Sequence, residues 1–225
     1  MPEREIPTVR MNFLMDRLGY VRMIDGTVYD KNADTVISEN KFVYSCLNTD
    51  TLLIFTDKGN LHKVSVSDIP FTKLKEKGVP IDNISKLVTA EENVVYITTD
   101  RELENDGNGL LLFITSNGLG KKVEKSEFSV TKKLTASTKL NPGDRIVSII
   151  DIGKNNMSDT DTRTVTLKGS NKKRINFYLS DIPVNKKGAA GVICVKLNDS
   201  GSVTEAEVKE PDARLKIIKR GGYMS

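Results

Sequence analysis

The chain is poor in the residue types that build disulfide scaffolds and metal sites. Its 225 residues include no tryptophan, two cysteines and a single histidine, His62. Cys46 and Cys194 lie in apolar runs, without a Cys-x-x-Cys spacing or a histidine partner. We therefore predict buried free thiols in a reducing compartment rather than a disulfide or a zinc site.

Long apolar runs and long helical patterns are also missing. No apolar run approaches the ~18–20 residues that span a bilayer, and no signal peptide opens the sequence. No stretch offers ten or more residues with a clean helical period. Short apolar runs that end in polar turns occur instead, at 52–55, 94–97, 110–114, 146–150 and 192–197. The sequence therefore predicts an all-β fold.

One pattern returns along the chain: an apolar strand, a polar turn, a basic strand start, and a corner where an acid precedes a hydrophobe. Residues 56–59 overlay 115–118, and 67–69 overlay 126–128, both at an offset of 59. The two Ser-Asp-Ile-Pro segments begin at Ser67 and Ser180. A weaker copy occupies 16–22. Such self-similarity is typical of propellers, with ~40–50 residues per unit.

The repeats predict about four blades that share one core, because a single repeat cannot enclose a core alone. A linker or appended tail is expected before the blades and a C-terminal tail after them, with 219–222 disordered. The predicted ranges are 1–9 for the first tail, 10–50, 51–109, 110–160 and 161–210 for the blades, and 211–225 for the last tail.

Basic residues are concentrated in three segments at similar places in successive repeats. Segments 57–77, 118–133 and 168–187 hold five, five and six lysines or arginines against three, two and one acids. If the blades form a ring, this periodic placement predicts a basic track along one rim, and a curved polyanion is the natural partner. The alternative is that surface lysines only keep the hairpins soluble and protect their edges.

Several runs resemble a known repeat. Residues 55–63, 67–70 and 77–81 resemble the blade repeat in the C-terminal domain of the A subunit of bacterial type IIA topoisomerases, the DNA gyrase and topoisomerase IV family. Residues 141–147 and 187–192 resemble the second half of the same repeat. The resemblance covers most of residues 10–210. The combination of motifs is fairly specific, whereas any one of them alone is weak.

The resemblance implies a β-pinwheel, a propeller-like ring whose blades exchange strands, with double-stranded DNA bent around its basic outer edge. It implies partners as well, namely the catalytic core of the A subunit, together with the ATPase B subunit, in a cytoplasmic, nucleoid-associated enzyme. ATP and Mg²⁺ would act on other domains. The chain has no phosphate-binding Gly-x-x-x-x-Gly-Lys-Ser/Thr segment and no counterpart of the cleavage domain. We expect no catalysis, cofactor, metal or membrane contact from this chain alone.

The candidate DNA-binding residues follow from the basic segments and the overlay of the repeats. They are Arg17, Arg22, Lys58, His62, Lys63, Lys73, Lys75, Lys77, Lys121, Lys122, Lys125, Lys132, Lys133, Lys172, Lys173, Arg174, Lys186 and Lys187.

The resemblance has one departure. Gyrases carry a Gln-Arg-Arg-Gly-Gly-Lys-Gly-like box in the first blade, which completes chiral wrapping of DNA. The comparable stretch here is 30–35, Asp-Lys-Asn-Ala-Asp-Thr, and no other segment supplies a substitute. Gyrase also usually has six blades rather than four. The chain therefore resembles topoisomerase IV more closely, and negative supercoiling by a parent enzyme is not implied.

The overlay also assigns roles to single residues. His62 stands where other repeats have Lys121 and Arg22, so we interpret it as a partly exposed basic site rather than a general base. Asp68, Glu127 and Asp181 share a corner. They could be metal ligands, but they lie on different blades, and turn capping or bonding to backbone is preferred. The turn glycines Gly59 and Gly118 are predicted to have positive φ.

The sparse aromatic residues help to separate the remaining alternatives. Phe55, Phe113 and Phe177 occupy strand positions where core packing is expected, and the basic segments contain almost no aromatics. Duplex DNA held through its phosphates is therefore favoured over stacked single strands. The main alternative is a propeller that docks proteins. A propeller enzyme is disfavoured, because its central channel would need several converging His, Asp or Glu residues.

Overall fold

The computed structural model describes residues 6–154 and 161–224, and nearly all of its regular structure is β. The strands form four main sheets and one two-stranded sheet, which confirms the all-β prediction. In chain order the strands are β1 (Arg10–Asp16), β2 (Tyr20–Asp25), β3 (Asn40–Leu47), β4 (Thr51–Thr56), β5 (Asn60–Ser65), β6 (Val79–Pro80), β7 (Val94–Thr99), β8 (Gly109–Thr115), β9 (Leu119–Glu124), β10 (Leu134–Ala136), β11 (Ile146–Lys154), β12 (Thr164–Gly169), β13 (Arg174–Tyr178), β14 (Val192–Ile193), β15 (Val195–Lys196), β16 (Val203–Lys209) and β17 (Gly222–Tyr223).

Each main sheet is built on one β-hairpin, the unit that repeats in the sequence. The hairpins β1–β2, β4–β5, β8–β9 and β12–β13 define blades 1 to 4. A later strand, which is β3, β7, β11 or β16, pairs antiparallel with the first strand of each hairpin. Each third strand follows its own hairpin in the chain.

The hairpin turns place one residue each in the left-handed backbone region. In blades 1 to 3 that residue is Gly19, Gly59 or Gly118, with φ of 85°, 79° and 81°. Glycine adopts this conformation without strain because it has no Cβ. The positive φ predicted for Gly59 and Gly118 is confirmed. Blade 4 has Lys172 at this position, with φ of 65°.

The first three blades receive their fourth strand from the next blade along the chain. Strands β6, β10 and β14 follow the hairpins of blades 2, 3 and 4, yet they pair with β2, β5 and β9 of the preceding blade. We call the crossing segments 70–80, 129–136 and 183–193 the exchange connectors. The strand exchange implied by the resemblance is therefore present, and the fold is a β-pinwheel with four blades.

The exchange connectors lie on the periphery of the molecule. Among the third strands, β7 contacts both β3 and β11, and β11 contacts β16, so these strands gather in the middle. Each exchange connector pairs with the opposite edge of its sheet. Because the two edges of a sheet lie on opposite sides, the connectors form the outer rim.

Apolar side chains from adjacent blades form three shared cores, as the repeat pattern predicted. The first contains Phe13 of blade 1 and Ile54 of blade 2. The second joins Phe55 to Phe113 of blade 3, with ring centroids 6.5 Å apart. The third contains Phe177 of blade 4. The three predicted core phenylalanines are at most 1% exposed, which confirms their assignment.

Two α-helices occur in the part of the chain that the structure describes, and the sequence reasoning missed both. The longer, α1 (Gly26–Glu39), links β2 to β3, and α2 (Asp100–Asn105) links β7 to β8. The carboxylate of Asp25 caps α1 by accepting from two backbone N–H groups of its first turn. Asn32 interrupts α1 with non-helical φ and ψ, which explains the missing helical period. No helix in the described residues is long and apolar enough to cross a bilayer.

Helix α1 covers a second apolar face of blade 1. Its Val36 is fully buried against Leu14 and Ile24, which lie on β1 and β2. Their neighbours in sequence, Phe13 and Met23, face the core shared with blade 2. The alternation of side chains along a strand thus gives blade 1 two apolar faces, and the helix buries the second.

The C-terminal residues are ordered on blade 4, which corrects the predicted disorder of 219–222. The N–H of Ile218 donates to the carbonyl of Asn176 at 2.8 Å, β17 pairs in parallel with β15, and Met224 is 2% exposed. The predicted N-terminal tail is held in part, because the side chain of Asn48 bonds to the backbone of Pro7 and Val9. Residues 1–5 lie outside the described residues.

Both cysteines are buried free thiols, as predicted. Burial raises the pKa of Cys46 and of Cys194 to about 12. Since the thiolate is the reactive form, both side chains are inert packing residues at neutral pH.

The turn residues give a stability test with opposite signs. A Cβ on Gly118 would lie 2.7 Å from atoms of Val195, and φ is already positive, so Gly118→Ala should lower the free energy of unfolding by about 2 kcal/mol. Lys172→Gly relieves a strained left-handed residue and should raise it by up to about 1 kcal/mol. Urea unfolding of the two variants checks both values. A shift of the same sign in both would contradict the conformational argument.

Candidate nucleic-acid interface

The structure divides the eighteen candidate residues by exposure. Four are buried: His62, Lys121, Lys122 and Lys125. Three are half-buried: Arg22, Lys63 and Lys187. The exposed ones are Arg17, Lys58, Lys73, Lys75, Lys77, Lys132, Lys133, Lys172, Lys173, Arg174 and Lys186.

The four buried residues are removed from the candidate interface, because a side chain in the interior cannot reach a phosphate. Their relative exposures are 1% for His62 and Lys121, 8% for Lys122 and 5% for Lys125. The ammonium of Lys125 lies 2.7 Å from one carboxylate oxygen each of Asp106 and Asp151. The overlay of repeats could not tell which of these side chains neighbouring parts of the chain cover.

Lys121 is enclosed by backbone carbonyls of the exchange connector from blade 4. Its Nζ donates to the carbonyl oxygens of Lys187 and Ala189, both at 2.6 Å, and of Lys186 at 3.3 Å. Burial lowers its pKa to about 8, so the side chain is still mainly charged at pH 7. Three acceptors match the three N–H donors of an ammonium group.

Arg22 does the same in blade 1. It stands at the position equivalent to Lys121, three residues beyond the turn glycine, and its Nη1 donates to the carbonyls of Lys73 at 3.1 Å and Leu74 at 2.7 Å. These carbonyls belong to the exchange connector from blade 2. The basic residue that repeats in the hairpins therefore holds a neighbouring connector in two blades, rather than facing solvent.

His62, the third residue at this position, has a different partner. Its Nε2 lies 3.0 Å from the Glu92 carboxylate, which also accepts from Thr56 Oγ1 at 2.5 Å and Asn60 Nδ2 at 2.9 Å. Burial lowers the pKa of His62, so the ring is neutral at pH 7. This corrects the expectation of a partly exposed basic site. The Nδ1 atom has no hydrogen-bond partner in the described part of the chain.

The length of the connector explains why blade 2 differs. In two connectors the N–H that donates to the carbonyl of the turn glycine stands 12 positions after the corner hydrophobe, from 69 to 81 and from 182 to 194. In the connector that crosses to blade 2 it stands 9 positions after, from 128 to 137. This shorter connector pairs with β5 as a regular strand. It therefore has no loop whose carbonyls a long basic side chain could bind. Lys63 instead donates to the carbonyl of Val130 at 2.6 Å.

The exposed candidates on the exchange connectors form the interface that remains. Lys73, Lys132 and Lys186 each stand four residues beyond a buried corner hydrophobe, at Ile69, Phe128 and Ile182 respectively. Lys75, Lys77 and Lys133 lie nearby in the same connectors and are exposed. Among the described residues, only Lys186 of these six has an acidic partner, Glu127 at 3.3 Å. The outer rim thus carries exposed lysines in three successive connectors.

The exposed candidates in the hairpin turns are more mixed. Arg17 contacts the carbonyl of Ser38 in α1, and Lys58 pairs with Glu91. In blade 4, Lys172, Lys173 and Arg174 are exposed and have no acidic partner among the described residues. Only this last group adds uncompensated charge to the turns.

The corner acids have no metal-site geometry, and one bonds to backbone as predicted. Glu127 accepts from the N–H of Lys187 at 2.8 Å, across two blades. Asp68 and Asp181 are exposed at the surface. Across the described ranges, no three His, Cys, Asp or Glu side chains are grouped to hold a metal ion.

The sequence reasoning missed the C-terminal part of the rim. Ile217 forms an isolated β-bridge with Asn176 of β13, just as Val184 does with Lys122 of β9. The exposed Lys216 and Lys219 lie on either side of Ile217. The pattern of lysines around an apolar pair was present in the sequence. It carries no repeat signal, because residues 211–225 follow the last recognisable copy of the repeat.

Comparisons with known proteins agree with this geometry. A family model described as the DNA gyrase C-terminal domain, a β-propeller, matches residues 50–87, 109–152 and 173–208, just over half of the chain. The DNA gyrase A subunit of Lawsonia intracellularis is 27% identical over 232 residues, and the DNA topoisomerase 4 A subunit of Staphylococcus aureus (strain MRSA252) is 27% identical over 229. The alignments cover 97% and 96% of this chain but only 27% of each relative.

Solved structures show the same fold. A crystal structure of the C-terminal domain of DNA topoisomerase IV has a TM-score of 0.79 at 19% identity, covering 97% of this chain and 72% of that one. The E. coli ParC C-terminal domain has a TM-score of 0.68 at 13% identity, covering 96% and 92%. At such identities the likeness concerns the fold.

The buried histidine predicts a specific loss of stability in acid. The folded state holds His62 neutral, whereas the unfolded chain takes up a proton below its ordinary pKa near 6.5. The stability that neutral His62 contributes is therefore present above about pH 6.5 and is lost as the pH falls below that value. His62→Gln keeps a donor for Glu92 but does not titrate, so its urea midpoint should fall less between pH 7.5 and 5.5. Equal slopes in the two proteins would contradict this assignment.

Proposed function

The chain belongs to the DNA gyrase C-terminal domain family of β-propellers, and from that premise we propose that it binds double-stranded DNA along its outer rim. The observation that carries the proposal is the set of exposed lysines on three successive exchange connectors, Lys73, Lys132 and Lys186 with their neighbours. They lie on the periphery and have almost no acidic partners among the described residues. A surface of this kind attracts a polyanion that passes from blade to blade.

Duplex DNA fits this rim better than a single strand does. Single-strand binding uses a series of aromatic side chains on which bases stack. On the three exchange connectors Phe71 is the single exposed aromatic, whereas Phe55, Phe113, Phe128 and Phe177 are buried in the shared cores. Lysines on irregular connectors suit contacts to phosphates, which carry little sequence information. The proposed binding is therefore strong at low salt and nearly independent of sequence.

The relatives suggest the setting in which this binding acts. The chain spans 27% of the length of its gyrase and topoisomerase 4 relatives. Because these relatives are A subunits, the parent protein would be the A subunit of a type IIA topoisomerase. In that setting the domain recruits and bends a DNA segment for strand passage by the separate catalytic core. The B subunit, ATP and Mg²⁺ would act outside this chain, in a cytoplasmic, nucleoid-associated enzyme. The chain's own part is binding rather than chemistry.

The domain is expected to act more like that of topoisomerase IV than that of gyrase. The stretch 30–35, which stands where gyrases carry the wrapping box, lies in the middle of α1. Within it, Asp30 pairs with Arg10 and Asp34 is exposed, so it offers the DNA acids as well as Lys31. Such a segment does not favour completion of a tight wrap.

The salt dependence of binding tests the proposed rim. The variant Lys73→Gln/Lys132→Gln/Lys186→Gln removes three proposed phosphate contacts, so the slope of log affinity against log salt should become shallower by about 2.7. The loss should be similar on unrelated duplexes. Fluorescence anisotropy between 50 and 200 mM salt measures it.

The matched control changes three exposed lysines on the central strands, Lys41→Gln/Lys154→Gln/Lys209→Gln, which alters the net charge equally. This control should keep most of the wild-type slope. A wild-type slope near zero would favour the protein-docking alternative. Equal loss in both variants would mean that only net charge matters and that the rim is not the site.

Ligation of a nicked plasmid tests the comparison with gyrase. Because α1 replaces the wrapping box, the domain should bend DNA without trapping a strong positive wrap. Closing the nick in its presence should therefore leave the linking number close to that of the protein-free control. A large positive shift, growing with protein concentration, would overturn the topoisomerase IV-like assignment.

A further inference from the structure

We propose that Arg22 and Lys121 are positioning residues for DNA binding, whose cations hold two rim loops so that the loops' lysines face outward. The loops are residues 73–78 and 186–191, the central parts of two exchange connectors. The proposal rests on the proposed DNA-binding function, since it concerns how that surface is presented. In this arrangement the two cations act through the backbone carbonyls that they bind.

The two loops are attached to the preceding blade at three equivalent points. At the start, the N–H groups of Met23 and Lys122 donate to the carbonyls of Pro70 at 2.9 Å and Pro183 at 3.1 Å. In the middle, the cations bind the loop carbonyls. At the end, each loop closes with a glycine against the strand.

The closing glycines show how tightly the loops press on the strands. A Cβ on Gly78 would lie 2.0 Å from the carbonyl oxygen of Val21, and one on Gly191 would lie 2.7 Å from that of Gly120. Val21 and Gly120 are equivalent, two residues beyond the turn glycine. The backbone of both loops thus turns inward at fixed points. Between those points Lys73, Lys75, Lys77 and Lys186 are exposed, while Leu74 packs against the cluster under α1.

The four blades provide an internal comparison. A long cation stands three residues beyond the turn in the two blades whose connector forms a loop. Where the connector is three residues shorter, the position holds His62, which turns to Glu92. Where the C-terminal segment covers the blade, the position holds Ile175, which is packed in the shared core. The cation therefore occurs together with the loop rather than with the hairpin.

The arrangement has a direct consequence for binding. Inside the loop the carbonyl oxygens of residues 186, 187 and 189 point at one ammonium, so the Lys186 side chain projects into solvent at 84% exposure. An ordered loop presents its lysines without a further loss of backbone entropy when DNA binds. Loss of the central attachment frees the loop and weakens binding, although no phosphate contact is deleted.

The test compares Lys121→Met, the rim variant Lys186→Gln/Lys187→Gln, and the triple combination. If Lys121 acts through the loop, Lys121→Met should weaken DNA binding on the order of tenfold, as the rim variant also should. The triple variant should then be no weaker than the rim variant, since both changes remove the same contacts. Strictly additive losses would overturn the proposal, because they would make Lys121 an independent contributor.

Two further measurements separate positioning from general damage. Lys121→Arg, which copies the residue of blade 1, should restore most of the affinity, whereas a purely steric role would not tolerate it. Hydrogen exchange should be faster at 186–191 in Lys121→Met and unchanged at 73–78, with the reverse pattern in Arg22→Gln. Because Arg22 is only half-buried, the second variant keeps the test valid if Lys121→Met fails to fold.

The exchange measurement is independent of DNA, so the two levels of inference can fail separately. If the wild-type domain binds no DNA but the loops loosen as expected, the proposed function fails while the loop attachment stands. If the wild-type domain binds DNA and Lys121→Met loosens the loop without a change of affinity, the positioning role is overturned.

Discussion

The fold depends on the backbone pairing between each exchange connector and the hairpin of the preceding blade. Without it, β2, β5 and β9 would each be a free sheet edge with unpaired N–H and C=O groups. The connectors satisfy these groups and join each blade to its neighbour through both hydrogen bonds and the shared apolar cores. The same need recurs at the last blade, where residues 216–218 take the place of a connector on β13. The need to cover this sheet edge is therefore also what orders the C-terminal residues.

The connectors also decide where charge is found. Because they lie on the rim, their exposed side chains form the surface that a large ligand meets first, and lysine dominates there. Their carbonyls face inward, and in two blades these carbonyls meet Arg22 and Lys121. One segment of chain thus joins two blades by its backbone and supplies the rim by its side chains. From the surface inward, the charge therefore changes sign twice. The lysine ammonium groups are exposed, the partly negative carbonyl oxygens lie beneath them, and the cations of Arg22 and Lys121 lie deepest.

The sequence predicted the repeat, the hairpins, the turn glycines and the phenylalanine core, because each leaves a local signal of spacing or residue type. It did not predict α1, whose period is broken at Asn32, or the order of the C-terminal segment, whose partner Asn176 lies about 40 positions away. It also counted Lys121 as a rim residue. Nothing near Lys121 in the sequence reveals burial, since its acceptors are backbone carbonyls 65 to 68 residues further on, and a carbonyl has no residue type to read.

The ends of the blade array limit the path that a bound polyanion can follow. The shared cores join blade 1 to 2, 2 to 3 and 3 to 4, and none of those in the described residues joins blade 4 back to blade 1. At the first end stands α1, whose exposed residues include Asp34 and Glu39. At the other end the lysines continue to Lys219. Because like charges repel, a duplex that follows the rim is favoured along the connectors and disfavoured where α1 begins. The described surface therefore suits an arc of DNA rather than a closed turn.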